Sequence, residues 1–162
     1  MRILGMDPGQ TGGLAVVDFD VGEEPFFYGG IMMPLTVVNR KKSLYIAAIL
    51  DWLPPDIDVG VIEAVHAMPK QGVSSSFQFG RMFGAAETLL YNADTHAYVS
   101  PNVWKKFMNL SSDKGASIDL ATNIFGKFDA KHFWPLKKHD GIAEAALMAV
   151  YWYRKNILGA KK

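Results

Sequence analysis

The feature that most narrows the folds open to this chain is a short apolar run, Arg2-Ile3-Leu4-Gly5-Met6, that closes on Asp7 and then turns. Pro8-Gly9 and Gly12-Gly13 supply the turn chemistry, and Leu14-Ala15-Val16-Val17-Asp18-Phe19 resumes as a second strand, so the pair reads as a hairpin. A third strand is expected within Phe26–Met33. Ser43–Leu53 has helical apolar spacing and is stopped by Pro54-Pro55. Val59-Gly60-Val61-Ile62-Glu63 reads as a buried strand that again ends on an acid. A polar loop, Met68–Val73, leads to serines able to cap a helix running to about Asn92. Ala97-Tyr98-Val99 is a further strand, and Pro101 suits the first turn of a helix carrying Trp104. Helices over Ala116–Phe125 and from near His139 to about Ile157 complete the order. An antiparallel start followed by alternating strand and helix predicts an α/β protein: three antiparallel strands, then parallel ones, in a mixed sheet with helices on both faces. No repeat or linker divides residues 1–162, so one domain is expected.

Composition excludes several classes. With 49% apolar and 20% charged residues, the 162-residue chain has the make-up of a folded domain large enough to bury its own core. There is no cysteine, hence no disulfide framework, no thiolate zinc site and no thiol catalyst. No apolar run reaches the ~18 residues of a membrane span. Asp7 interrupts the stretch that a signal peptide would keep apolar, so a cytoplasmic protein is expected. The net charge of +1 conceals a skew: residues 1–63 carry nine acids against four bases, leaving +6 for the remainder. That skew suits a polyanionic partner, and equally a solvated lysine-rich surface.

The acids carry the chemistry. Asp7 and Glu63 fall at the carboxyl ends of two buried strands, where ligands of such sheets gather. Either alone could cap a turn; together they favour a site, because a carboxylate in an apolar run needs a partner or a cation. Asp140 and Glu144 are four apart and therefore one helical turn apart on one face. Their helix is apolar nearly all round and should be buried on two sides. Four converging carboxylates need divalent cations, and an all-oxygen donor set predicts Mg²⁺ or Mn²⁺. Two such ions can activate water and stabilise the leaving oxygen in phosphodiester hydrolysis, so a nuclease accounts for the acids and the lysines together.

Three segments, Asp7-Pro8-Gly9-Gln10-Thr11-Gly12-Gly13, Val61-Ile62-Glu63 and Asp140-Gly141-Ile142-Ala143-Glu144-Ala145-Ala146-Leu147-Met148-Ala149, resemble the RuvC-type Holliday-junction resolvases, above all their shorter, phage-associated branch. Ser74–Gly84 and Ser100-Pro101-Asn102-Val103-Trp104-Lys105-Lys106 extend the resemblance over essentially the whole chain. It implies a ribonuclease H-like fold, a homodimer, and magnesium-dependent paired nicks across a four-way DNA junction, in the cytoplasm of a bacterial or phage-infected cell. It carries Asp7, Glu63, Asp140 and Glu144 onto the metal-binding catalytic acids, and Lys105 onto a lysine near the scissile phosphate; Lys114 is a looser match. The bacterial pattern separates the last two acids by two residues, whereas three intervene here, which leaves His139 as an alternative ligand or base. His66 stands near the position of the bacterial aromatic wedge, and His66 or Met68 could take that part. DNA contacts are expected at His66, Met68, Lys70, Gln71, Ser74, Lys105, Lys106 and Lys114. Phe77, Gly80, Arg81 and Gly84 are expected at a dimer interface, the small residues letting another backbone approach; packing against the chain's own sheet is the alternative. Other readings of the same residues are a ribonuclease H-like nuclease for other branched DNA or RNA, and a junction-binding module without catalysis.

Overall fold

The computed structural model describes residues 1–66, 72–111, 113, 115–126 and 132–160. β1 (Arg2–Met6), β2 (Gly13–Asp18) and β3 (Phe26–Met32) form the antiparallel part of a five-stranded sheet. β6 (Ile57–Glu63) lies parallel to β1, and β7 (Ala93–Val99) parallel to β6, giving the order β3-β2-β1-β6-β7. β4 (Leu35–Val38) and β5 (Lys41–Leu44) form a separate hairpin. The helices are α1 (Ile46–Trp52), α2 (Val73–Thr88), α3 (Pro101–Phe107), α4 (Ala116–Phe125) and α5 (Asp140–Asn156).

Strand periodicity divides the core into two layers. Successive side chains point to opposite faces, so Ile3, Val17 and Val61 enter one cluster while Leu4, Val16 and Ile62 enter the other. The first layer is closed by α4, α5 and Trp104, the second by α1, α2 and the 3₁₀ turn Leu89–Asn92. Helices therefore cover both faces, as the apolar runs predict. α5 explains its all-round apolar character: Ala145, Ala146, Leu147, Met148, Ala149 and Val150 are all fully buried. Among the described residues, no helix is long and apolar enough to cross a membrane.

Three boundaries differ from expectation. The helix expected from Ser43 begins only at Ile46, because Lys41–Leu44 pairs with Leu35–Val38 and the Tyr45 N–H donates to the Pro34 carbonyl at 2.9 Å. β7 starts at Ala93 and not Ala97; as an edge strand it tolerates the polar Asp94, Thr95 and His96. The N-cap of α2 is Gly72, with no side-chain cap from the serines that follow.

α5 reaches the sheet through backbone contacts that allow no side chain. A Cβ on Gly5 would lie 1.9 Å from the Ala145 carbonyl oxygen, and one on Gly141 would lie 2.6 Å from the Gly12 backbone. Gly12 and Gly141 form an isolated parallel bridge. The turn after β1 and the first turn of α5 are thereby locked together, and Glu144 sits directly before the residue that meets Gly5.

Candidate active site

Asp7 leaves the end of β1 into a turn closed by two hydrogen bonds, Asp7 N–H to Gly13 O at 2.9 Å and Gly12 N–H to Gly9 O at 3.0 Å. Its Oδ1 accepts the Gly9 N–H at 3.2 Å. Burial is the largest influence on this carboxyl and, with the charges of Glu63 and Glu144, pushes it up to about 7 against the lowering effects of Gly9 and Lys105. Glu63, at the end of β6, is buried; its Oε1 accepts the Trp104 Nε1–H at 2.9 Å. Burial raises its pKa as well, opposed first by that hydrogen bond and then by Lys105.

Glu144 comes from the second turn of α5. Lys105 Nζ donates to both of its oxygens at 2.9 Å, and Ser117 Oγ donates to Oε1 at 2.9 Å. Lys105 is about a third exposed, so its contribution to stability is small; its ammonium also lies 5.2 Å from the Trp104 ring centroid. Three strand or helix elements far apart in sequence thus deliver Asp7, Glu63 and Glu144 into mutual electrostatic range, with Lys105 acting on all three.

Asp140 is half-buried at the first position of α5, where Oδ1 accepts the Gly141 N–H at 3.0 Å. The acids whose charges act on Asp7 are Glu63 and Glu144. Among the described residues, the Nδ1 atom of His139 is buried without a hydrogen-bond partner. His66 is exposed just beyond β6, Ser74 is exposed in the first turn of α2, and Lys106 follows Lys105 on α3. Met68, Lys70, Gln71 and Lys114 lie outside the described residues.

On α2, Phe77 is 65% exposed, Arg81 is exposed, and a Cβ on Gly80 or Gly84 would meet nothing within 4 Å. That stripe does not pack on the chain's own sheet; Met82 and Ala86, on the other side of the helix, do the packing. Two functional contacts escape sequence reasoning. Trp104 reads there only as part of a short helix and of the resembling segment, and Ser117 carries no signal at all, yet each donates a hydrogen bond to one of these carboxylates.

A mixed sheet in this order, with helices on both faces, defines a ribonuclease H-like fold of the RuvC type. The structure is similar to that of Thermus thermophilus RuvC in complex with a Holliday junction substrate, with TM-score 0.65 and 14% identity over 96% of this chain and 97% of that one. It is similar also to a second Thermus thermophilus RuvC structure, with TM-score 0.64 and 19% identity over 95% and 96% of the two chains. No protein-family model matches the sequence, and no curated protein sequence does either.

Proposed function

We propose that this chain is a metal-dependent, structure-selective DNA endonuclease that resolves four-way junctions by paired nicks, acting as a homodimer. The observation that carries this reading is the gathering of Asp7, Glu63 and Glu144 around one lysine at the carboxyl end of the sheet. Its support from outside is the likeness to a RuvC solved with a Holliday junction substrate.

The donor chemistry fits a hard divalent cation. All the acids offer oxygen, two of them are held toward the neutral form by burial, and the orphaned His139 Nδ1 lies one residue before Asp140. Among the described residues, no group of three or more histidine or acidic side chains is arranged to hold a metal ion, and both Glu144 oxygens are engaged by Lys105. In this reading Asp7, Glu63 and Glu144 would hold Mg²⁺ or Mn²⁺, two per site, with Asp140 or His139 completing the set. When bound, the metal would supply Lewis-acid polarisation of the phosphodiester and a bound water more acidic than bulk water.

The chain's own groups set the geometry. Trp104 fixes the rotamer of Glu63, and Ser117 fixes that of Glu144. Lys105 neutralises Glu144 and, being partly exposed, can offer a proton-bearing cation to a phosphate oxygen. The exposed Phe77, Gly80, Arg81 and Gly84 face of α2 supplies the dimer contact, and a two-fold dimer presents two acid clusters to a two-fold junction. Incubation with labelled four-way, flap and linear duplex DNA, with and without Mg²⁺, tests the reading. Paired nicks confined to the four-way substrate and to Mg²⁺ are expected; equal cutting of all three, or none, would refute it.

A further inference from the structure

Beside the acid cluster lies a cleft of about 550 Å³ that the acids do not line. One wall is the turn that leaves Asp7, contributing Gln10; a second is the first turns of α2, with Ser74, Ser75 and Gln78; the third is β5, with Lys41 and Lys42. In sequence, those two lysines fall in the net-acidic part of the chain and carry no signal of their own. In space, they are the two cations of a cleft whose described lining holds no acid.

The hairpin that carries them is built to hold them there. Val38 pairs with Lys41, so the turn is two residues long, and both of its residues, Asn39 (φ 51) and Arg40 (φ 62), adopt the left-handed region. That is the tight turn whose twist matches a hairpin, and glycine is its usual occupant. Leu44 anchors the hairpin in the second core layer, and the Gln78 side-chain amide donates to the Lys42 carbonyl from α2. Lys42 is thus fixed at its backbone within the cleft lining.

We propose that this cleft is a track for the sugar–phosphate backbone of the DNA strand entering the acid cluster, with Lys41 and Lys42 as its phosphate contacts. The proposal rests on the nuclease reading and deepens it by placing a substrate contact on an element that reading does not use. Two lysines beside serine and glutamine side chains, with no carboxylate among the described lining residues, match a polyanion's backbone and carry no base-specific readout. The shared turn at residues 8–10 makes the cleft continuous with Asp7, so a strand lying along it leads to the scissile position.

The test is binding of a fluorescent four-way junction by the full chain in EDTA, over a series of NaCl concentrations. Each phosphate neutralised contributes about 0.9 to the slope of log K against log salt on duplex and about 0.7 on single strand. A Lys41→Ala, Lys42→Ala double variant should lower the slope by about 1 to 2 and weaken binding, whereas Lys41→Arg, Lys42→Arg should restore both. An unchanged slope and affinity in the alanine variant would overturn the proposal. The chain has no cysteine, so Lys42→Cys provides a second, fold-tolerant measurement: disulfide capture of junctions with a thiol tethered to one backbone phosphate. Capture should peak for tethers within a few nucleotides of the cut and be absent for Lys155→Cys; equal or no capture at position 42 overturns the track. A protein that shows the slope change and the capture but never cuts would refute the nuclease reading and leave the cleft as a DNA contact.

Discussion

Replacing Asp7 with asparagine should make the protein more stable and inactive at once, and the stability gain should depend on pH in a defined way. The Asp7 carboxyl is raised from 3.8 to about 7 in the folded chain, chiefly by burial. Between those values the folded state holds a proton that the unfolded state has released, so stability falls as pH rises from about 4 to about 7 and is level above that. A rise of that size corresponds to about 4 kcal/mol of native-state destabilisation at pH 8. Asparagine is neutral throughout and keeps an oxygen for the Gly9 N–H. The difference between variant and unsubstituted protein should therefore be near zero at pH 4 and grow to a few kcal/mol by pH 8. At about 2–4 °C per kcal/mol for a chain of this size, the Tm gap at pH 8 should be about 8–16 °C. Urea unfolding at both pH values in EDTA measures it, and taking the difference between two proteins cancels the titration of every other group. Added Mg²⁺ should narrow the gap by stabilising only the ionised site. A difference that stays constant with pH, or a less stable variant at pH 8, would refute the account of Asp7 as a half-buried carboxylate that its desolvation and its acidic neighbours hold toward the neutral form. Junction binding should survive in this variant while cleavage is lost.

Three further outcomes follow from the same geometry. Lys105→Ala should slow single-turnover cleavage by about 10²-fold with a much smaller loss of junction affinity; an unchanged rate would remove this lysine from the chemistry. Gly84→Leu adds a side chain into open space in the single chain, so Tm should stay within a degree or two while sedimentation shifts toward monomer and paired nicking becomes single; an intact dimer would place the interface elsewhere. Gly5→Ala puts a methyl group 1.9 Å from the Ala145 carbonyl oxygen, and overpacking against backbone should cost about 1–3 kcal/mol or more, read as a lower urea midpoint at unchanged slope.

What could be read from the sequence follows from what determines each element. β1 and β6 are buried on both faces, so continuous apolar runs announce them, and the acid that ends each run marks a strand end at the same time. Although neither has a side-chain cap at its start, α4 and α5 have their apolar faces written locally. The β4–β5 hairpin does not: its strands are four residues long, its turn lacks glycine, and its second strand runs straight into a helical apolar pattern. The site divides the same way. Asp7, Glu63 and Glu144 are visible as acids in apolar surroundings, whereas Trp104 becomes a partner only when α3 meets the end of β6, and Ser117 only when α4 folds against α5. Asp140 looks equivalent to Glu144 on a helical wheel, but one turn of helix is enough to give it the Gly141 amide as a partner in place of Lys105 and Ser117.

The glycine-to-glycine seam between the turn after β1 and the start of α5 has a consequence for synthesis. The residues it joins, Gly12 and Gly141, lie far apart along the chain, and the β1–β2 surface waits for α5 before it is covered. A chain still emerging from the ribosome carries Asp7 and Glu63 but not Glu144. On the nuclease reading proposed above, the acid cluster is therefore complete only once α5 has been made and has docked.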